Sequence, residues 1–245
     1  MSVRDDFLPN LSTKNFILIF VGTLGLVLVA VMTFALMNDG RYHINGISES
    51  ALYVTQDYVY VILIFFGVYL FGHKIAKLTW RDIGFRPCPS DWMVRAFILG
   101  IIVYSIRILA DNAFVVWFGV RRMREPGQTD LAIINEATPS TVIAFIIVVS
   151  LLTPLATEIF QRGILFPWLR RNFNFMMSAI ASAFIFGALH IELVRYAQIL
   201  VFGVAAAYLY EKSRSLWPPL AFHMTINCAY LVGLMSNYAQ MTRLP

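Results

Sequence analysis

Charge is scarce in this chain. Asp, Glu, Lys and Arg make up 13% of its 245 residues, about half the share carried by an ordinary soluble domain. That shortage, with 59% hydrophobic residues and a mean hydropathy of +0.69, excludes a water-soluble globular protein. Cysteine is nearly absent. Cys88 and Cys228 are too few and too differently placed for a disulfide framework, and neither has the neighbours of a metal-binding or redox pair. Ten-residue stretches of alternating polarity are missing too, which excludes a membrane β-barrel. There is no internal repeat and no low-complexity tract, and the basic residues form no stripe that would track nucleic acid.

What is present is a series of apolar runs, each about as long as the ~20 helical residues that cross a hydrocarbon core. They lie near Phe16–Met37, Ala51–Gly72, Trp92–Phe118, Ser140–Phe160, Phe175–Ile191, Arg195–Glu211 and Leu216–Asn237. The fold class expected is therefore all-α, a polytopic membrane bundle of about seven transmembrane helices. The first run follows Arg4 and Lys14, as the core of a secretion signal would, but it exceeds the usual 7–15 residues and lacks a small-x-small cleavage site. It reads as a retained anchor.

Lysine and arginine bias sets the expected orientation. With the N-terminus inside, the cytoplasmic side holds Arg4, Lys14, Lys74, Lys77, Arg81, Arg86, Arg95, Arg170, Arg171, Lys212 and Arg214. The opposite side holds Arg41, Arg121, Arg122, Arg124, Arg195 and Arg243, while Arg107 and Arg162 fall within spans. This distribution favours N-in, C-out, and the net charge of +5 is read as a topology signal.

Inside the most apolar third lie three pairs at a spacing of four: Glu158 with Arg162, Phe186 with His190, and His223 with Asn227. That spacing puts both members on one helix face. Ionisable groups at mid-membrane are costly and therefore tend to face a bundle interior or a wet cavity. A carboxylate, two imidazoles and a carboxamide on neighbouring helices suit a buried hydrolytic centre. Each also has a plainer reading: Glu158–Arg162 as a helix-locking ion pair, His190 as an interfacial residue, His223 and Asn227 as interhelical glue, Phe186 as packing. Arg107 and Asp111, another four-spaced pair, read most simply as a neutralising ion pair.

The chain divides near Pro139. Residues 1–138 carry three spans and a polar linker, Arg121–Pro139, and are expected to supply scaffold and substrate access. Residues 139–245 carry four spans and all three polar pairs. In that second part, Pro154-Leu-Ala-Thr157-Glu158-Ile-Phe-Gln-Arg162-Gly163 resembles the Glu-Glu-x-x-x-Arg-Gly motif of the CAAX-protease and bacteriocin-processing family. Phe186-Gly-Ala-Leu-His190 is similar to its Phe-x-x-x-His motif, and His223-Met-Thr-Ile-Asn227 to its His-x-x-x-Asn motif. The resemblance covers about a third of the chain. It implies an intramembrane peptidase of the glutamic type, acting on a membrane-anchored peptide or protein in the lipid bilayer. A prenylated substrate is only one option among several, since nothing in this chain reads a C-a-a-X tail.

One position departs from that pattern. Thr157 stands where the family has its first glutamate, which the resemblance implies to be the water-activating residue, leaving Glu158 as the partner of Arg162. A threonine hydroxyl can hold a water but does not accept a proton at neutral pH. Three outcomes follow: Glu158 or His190 acts as base, nearby Glu192 substitutes, or the protein binds peptides without cutting them. In an active version, a carboxylate and His190 would polarise water while His223 and Asn227 donate to the oxyanion. No cofactor is expected. The metal alternative is a zinc site made by Glu158, His190 and His223, although no His-Glu-x-x-His motif is present. The expected location is the cell (inner) membrane of a prokaryote. Straight helices with a 1.5 Å rise per residue would set His223 and His190 roughly 15 Å apart in depth, with Glu158 between them. A shared site then requires tilt, a re-entrant segment, or spans that begin deeper.

Overall fold

The computed structural model describes residues 11–39, 48–118, 134, 137–187 and 193–241, and among these there is no strand. The helices are α1 (Thr13–Asp39), α2 (Glu49–Ile75), the short α3 (Trp80–Ile83), α4 (Asp91–Phe118), α5 (Pro139–Asn172), α6 (Phe175–Gly187), α7 (Leu193–Ser213) and α8 (Trp217–Met241). Four contain stretches long and apolar enough to cross a membrane, namely Thr13–Phe34, Glu49–Ile75, Asp91–Ala113 and Pro139–Asn172, and Phe175–Gly187 is a shorter apolar helix. Large aliphatic and aromatic side chains stand exposed along them, among them Val29, Met32, Ile62, Phe97 and Leu109. Water would not tolerate that surface and hydrocarbon would. The protein is an all-α, polytopic membrane bundle.

The expected fourth span, Ser140–Phe160, is too short: α5 runs on to Asn172. Pro154 and Pro167 lie within this rod and each lacks the N–H that an α-helix would use. Two π-helical segments, Val148–Leu152 and Gln161–Leu165, come just before the turns containing those prolines. A wider turn absorbs the missing bond and lets the rod continue past residues that would otherwise kink or stop it. Thr138 caps its start, accepting from Thr141 N at 3.3 Å. The linker expected at Arg121–Pro139 lies almost wholly outside the described residues.

α8 packs along α4 and α7, α6 lies against α7, and α2 lies against both α1 and α5. One buried cluster gathers Phe16, Ile83, Ile164, Phe166, Tyr210 and Leu216 where α1, α3, α5, α7 and the start of α8 meet. Phe16 stacks on Trp168 with centroids 3.9 Å apart. Arg170 grips Glu211 through Nε and Nη2, joining the end of α5 to α7. The entry to α8 is pinned to the α3 segment: Leu216 N donates to Gly84 O at 2.8 Å, and Ser215 Oγ donates to Arg86 O at 2.6 Å. Pro218 and Pro219 follow in the first turn of α8, where a missing N–H costs nothing. These contacts fix the height of α8, and with it the height of His223.

Candidate active site

Glu158 lies at the centre of α5 and is wholly buried. Its Oε1 accepts from Arg162 Nη1 at 3.2 Å and lies 2.9 Å from His223 Nδ1. Arg162, also buried, reaches further with Nη2 to Gly203 O at 3.1 Å, so one guanidinium links α5 to α7. A buried carboxylate needs a compensating charge and hydrogen bonds, and Arg162 and His223 provide them on Oε1. Oε2 is buried with no hydrogen-bond partner among the described residues.

The His223 ring packs edge-on against Phe202, centroids 4.6 Å apart, and Arg162 lies over the same phenyl ring at 5.6 Å. Phe202 thus fills the angle between imidazole and guanidinium. Nδ1 is engaged by Glu158, which leaves Nε2 as the ring nitrogen available for chemistry. Asn227 sits one turn further along α8, and its Nδ2 donates to Val149 O at 2.8 Å. That carbonyl belongs to the π-helical stretch Val148–Leu152, whose wide turn frees acceptors that an α-helix would bond internally.

His223 and Asn227 open onto a cavity of about 480 Å³ whose wall also includes Val149, Phe186, Phe202, Ile226, Tyr230 and Arg107. The volume suits a few apolar side chains or a short stretch of peptide. Thr157 is buried beside Glu158 on α5. Of the residues expected from sequence, Glu158, Arg162 and His223 come into direct contact, while Asn227 and Phe186 line the adjoining cavity. His190 and Glu192 lie outside the described residues. Among those described, no group of three or more His, Cys, Asp or Glu converges as a metal would require, and the third zinc ligand considered, His190, falls outside them.

The depth mismatch expected from straight helices does not separate Glu158 from His223. α5 continues fourteen residues past Glu158 to Asn172, and α8 starts at Trp217, six residues before His223. The two helices therefore enter at different heights, and their site residues meet.

The comparisons with known proteins fall on this same region. Residues 139–229 match the type II CAAX prenyl endopeptidase Rce1-like family. The matched stretch holds Glu158, Arg162, Phe186, His190, His223 and Asn227, so the Rce1-like likeness covers all three motifs read from sequence. The chain is also 30% identical over 136 residues to "Putative membrane peptidase YdiL" of Bacillus subtilis (strain 168), an alignment covering 56% of this chain and 52% of that protein. The chain thus spans about half the length of the curated relative it matches. No solved structure matches it.

Sequence reasoning missed three participants. Phe202 and the Gly203 carbonyl carry no signal, being an ordinary aromatic and a backbone group. Arg107 did carry one, as a cation within a span, but its four-spacing to Asp111 made neutralisation a sufficient explanation.

Proposed function

We propose that this protein is an integral-membrane peptidase of the CAAX-protease type, hydrolysing a peptide bond in a membrane-associated peptide or protein. The observation that carries this reading is the Glu158–His223 hydrogen bond at the wall of an intramembrane cavity, in the stretch that matches the Rce1-like family. The substrate would be held in the lipid bilayer, with the protein N-in and C-out in the inner membrane of a prokaryote. Residues 139–245 would carry the chemistry, and residues 1–138 the scaffold and access.

In this mechanism Nδ1–H of His223 donates to Glu158, which fixes the tautomer and leaves Nε2 as an acceptor. Nε2 takes a proton from water as the water oxygen attacks the substrate carbonyl carbon. Glu158 stabilises the imidazolium that results, and Arg162 holds Glu158 in place. The amide of Asn227, fixed through one N–H on Val149 O, offers its second N–H to the oxyanion. Collapse of the tetrahedral intermediate breaks the C–N bond, and His223 returns the proton to the leaving amine. His190 is assigned as the second imidazole of the proposed site, on the motif it shares with Phe186, four positions earlier in the sequence, which lines the cavity. Thr157 is assigned to holding water rather than accepting a proton. No cofactor is required. Zinc, the alternative, would have to use Nε2, since Nδ1 is bonded to the carboxylate.

Thr157 also favours a second reading, a catalytically impaired relative that binds a peptide or partner protein in the same cavity. The test is cleavage of a membrane-anchored peptide library by the purified protein in liposomes, with His223→Gln, His190→Ala and Thr157→Glu alongside. Cleavage by wild type that falls at least about 100-fold in His223→Gln supports the mechanism. Cleavage only after Thr157→Glu establishes the impaired relative. Cleavage abolished by a chelator and restored by zinc replaces the metal-free mechanism.

A further inference from the structure

Most of the cavity beside His223 is apolar, yet α4 places a guanidinium in its wall. Arg107 lies over the Tyr230 ring at 5.4 Å. Its Nε is 3.9 Å from Asp111 Oδ2, beyond hydrogen-bond reach, and this buried Nε has no hydrogen-bond partner among the described residues. Asp111 is engaged from the other side, accepting from the side-chain amide of Gln198 on α7. The four-spaced pair therefore balances charge without using the Nε–H donor.

A neutralising pair alone would be expected to close into a tight, bidentate contact, because an unspent donor in a buried site is costly. Here Asp111 is turned toward Gln198, and the guanidinium lies on an aromatic face. Stacking occupies the plane of an arginine and keeps its N–H edge available for a planar anion.

Position adds a length scale. His223, Asn227 and Tyr230 all line the cavity, and at i, i+4 and i+7 they form one stripe of α8. Seven helical residues rise about 10 Å, which an extended peptide covers in about three residues. A chain lying along this stripe with one end at His223 reaches Arg107 about three residues later.

We propose that Arg107 is a specificity-determining residue that binds a carboxylate of the bound peptide, about three residues from the segment held at His223. The inference rests on reading the cavity as peptide-binding, which the enzyme and its non-cutting alternative share. The carboxylate is either the chain terminus or an acidic side chain, and a binding experiment separates the two.

The full chain is placed in phosphatidylcholine vesicles and titrated with three fluorescent, N-acylated apolar hexapeptides, with binding to protein-free vesicles subtracted. One peptide ends in a free carboxylate, one in an amide, and one in an amide with glutamate at the last position. Wild type is expected to bind at least one carboxylate peptide about tenfold tighter than the plain amide. Preference for the first alone identifies a chain terminus, and preference for the third identifies an acidic side chain. Arg107→Gln brings the ratio to about one, and Arg107→Lys, which keeps the charge but loses the fork, retains part of it. If Arg107→Gln does not fold, the reduced ratio in Arg107→Lys is the readout. The proposal is overturned if wild type shows no preference, including no binding of any peptide, or if the ratio survives these substitutions. Preference without cleavage of these peptides counts against the peptidase reading alone, and cleavage without preference counts against this inference alone.

Discussion

At the scale of single residues the site turns on one oxygen. Glu158 Oε1 accepts from Arg162 and holds His223, so removing its charge should do two separable things. Glu158→Gln leaves the buried Arg162 without a counter-charge, and thermal or denaturant unfolding in lipid should show a loss of about 3–5 kcal/mol. It also frees His223, and peptide cleavage should fall with it. His223→Gln should cost cleavage with much less effect on unfolding, because the Arg162–Glu158 pair stays intact. Equal destabilisation by both would return the cluster to a purely structural role. Asn227→Ala should lower kcat by about 10²–10³ with little change in KM, the signature of a group that acts on the oxyanion. The four-spacing of Glu158 and Arg162 was legible because helical periodicity is local. That Glu158 and His223, sixty-five residues on, share one site was read from the motifs, but their direct contact through Nδ1 was not legible, because that distance is set by packing.

At the scale of elements, close approach of helices places these side chains. α6 and α7 meet at Gly203, where an added Cβ would lie 2.4 Å from Ala183 Cβ. The glycine lets the backbones touch, as small residues do in membrane helix pairs, and so brings its carbonyl to Arg162. Gly203→Val should push α7 away, destabilise the fold by about 1–3 kcal/mol in unfolding measurements, and impair cleavage by releasing the guanidinium. An unchanged unfolding transition would show that the approach is unimportant. Gly163 works the same way on the other side of α5, since a Cβ there would meet Ile83 Cγ2 at 2.4 Å. The helical runs themselves were readable from hydropathy. The length of α5 was not, because Pro154 and Pro167 normally signal an end, and only the π-helical turns show how the rod carries them.

At the scale of the whole molecule, an apolar exterior surrounds a core that encloses a small polar cluster. Exposed aliphatic residues on α1, α2 and α4 face outward, while Glu158, Arg162 and His223 are enclosed. In the proposed N-in orientation, Cys88, between α3 and α4, would lie on the cytoplasmic side. Cys228 is an exposed residue of α8, in the run that the sequence reading takes as the last span. A membrane-impermeant maleimide should therefore label Cys88 in inside-out vesicles and not in intact cells. The reverse pattern would invert the proposed orientation, and with it the side from which a substrate enters.

Composition and spacing determined that this chain is a helical membrane protein and marked the motifs of the proposed site, because hydropathy and helical phase are properties of neighbouring residues. Tertiary structure alone decided that a single Glu158 oxygen serves both Arg162 and His223, that Asn227 leans on a π-helical carbonyl, and that Arg107 stands in the cavity wall. Those relations depend on how deep each helix sits and how closely it meets its neighbours, and both are set by contacts between residues far apart in the chain.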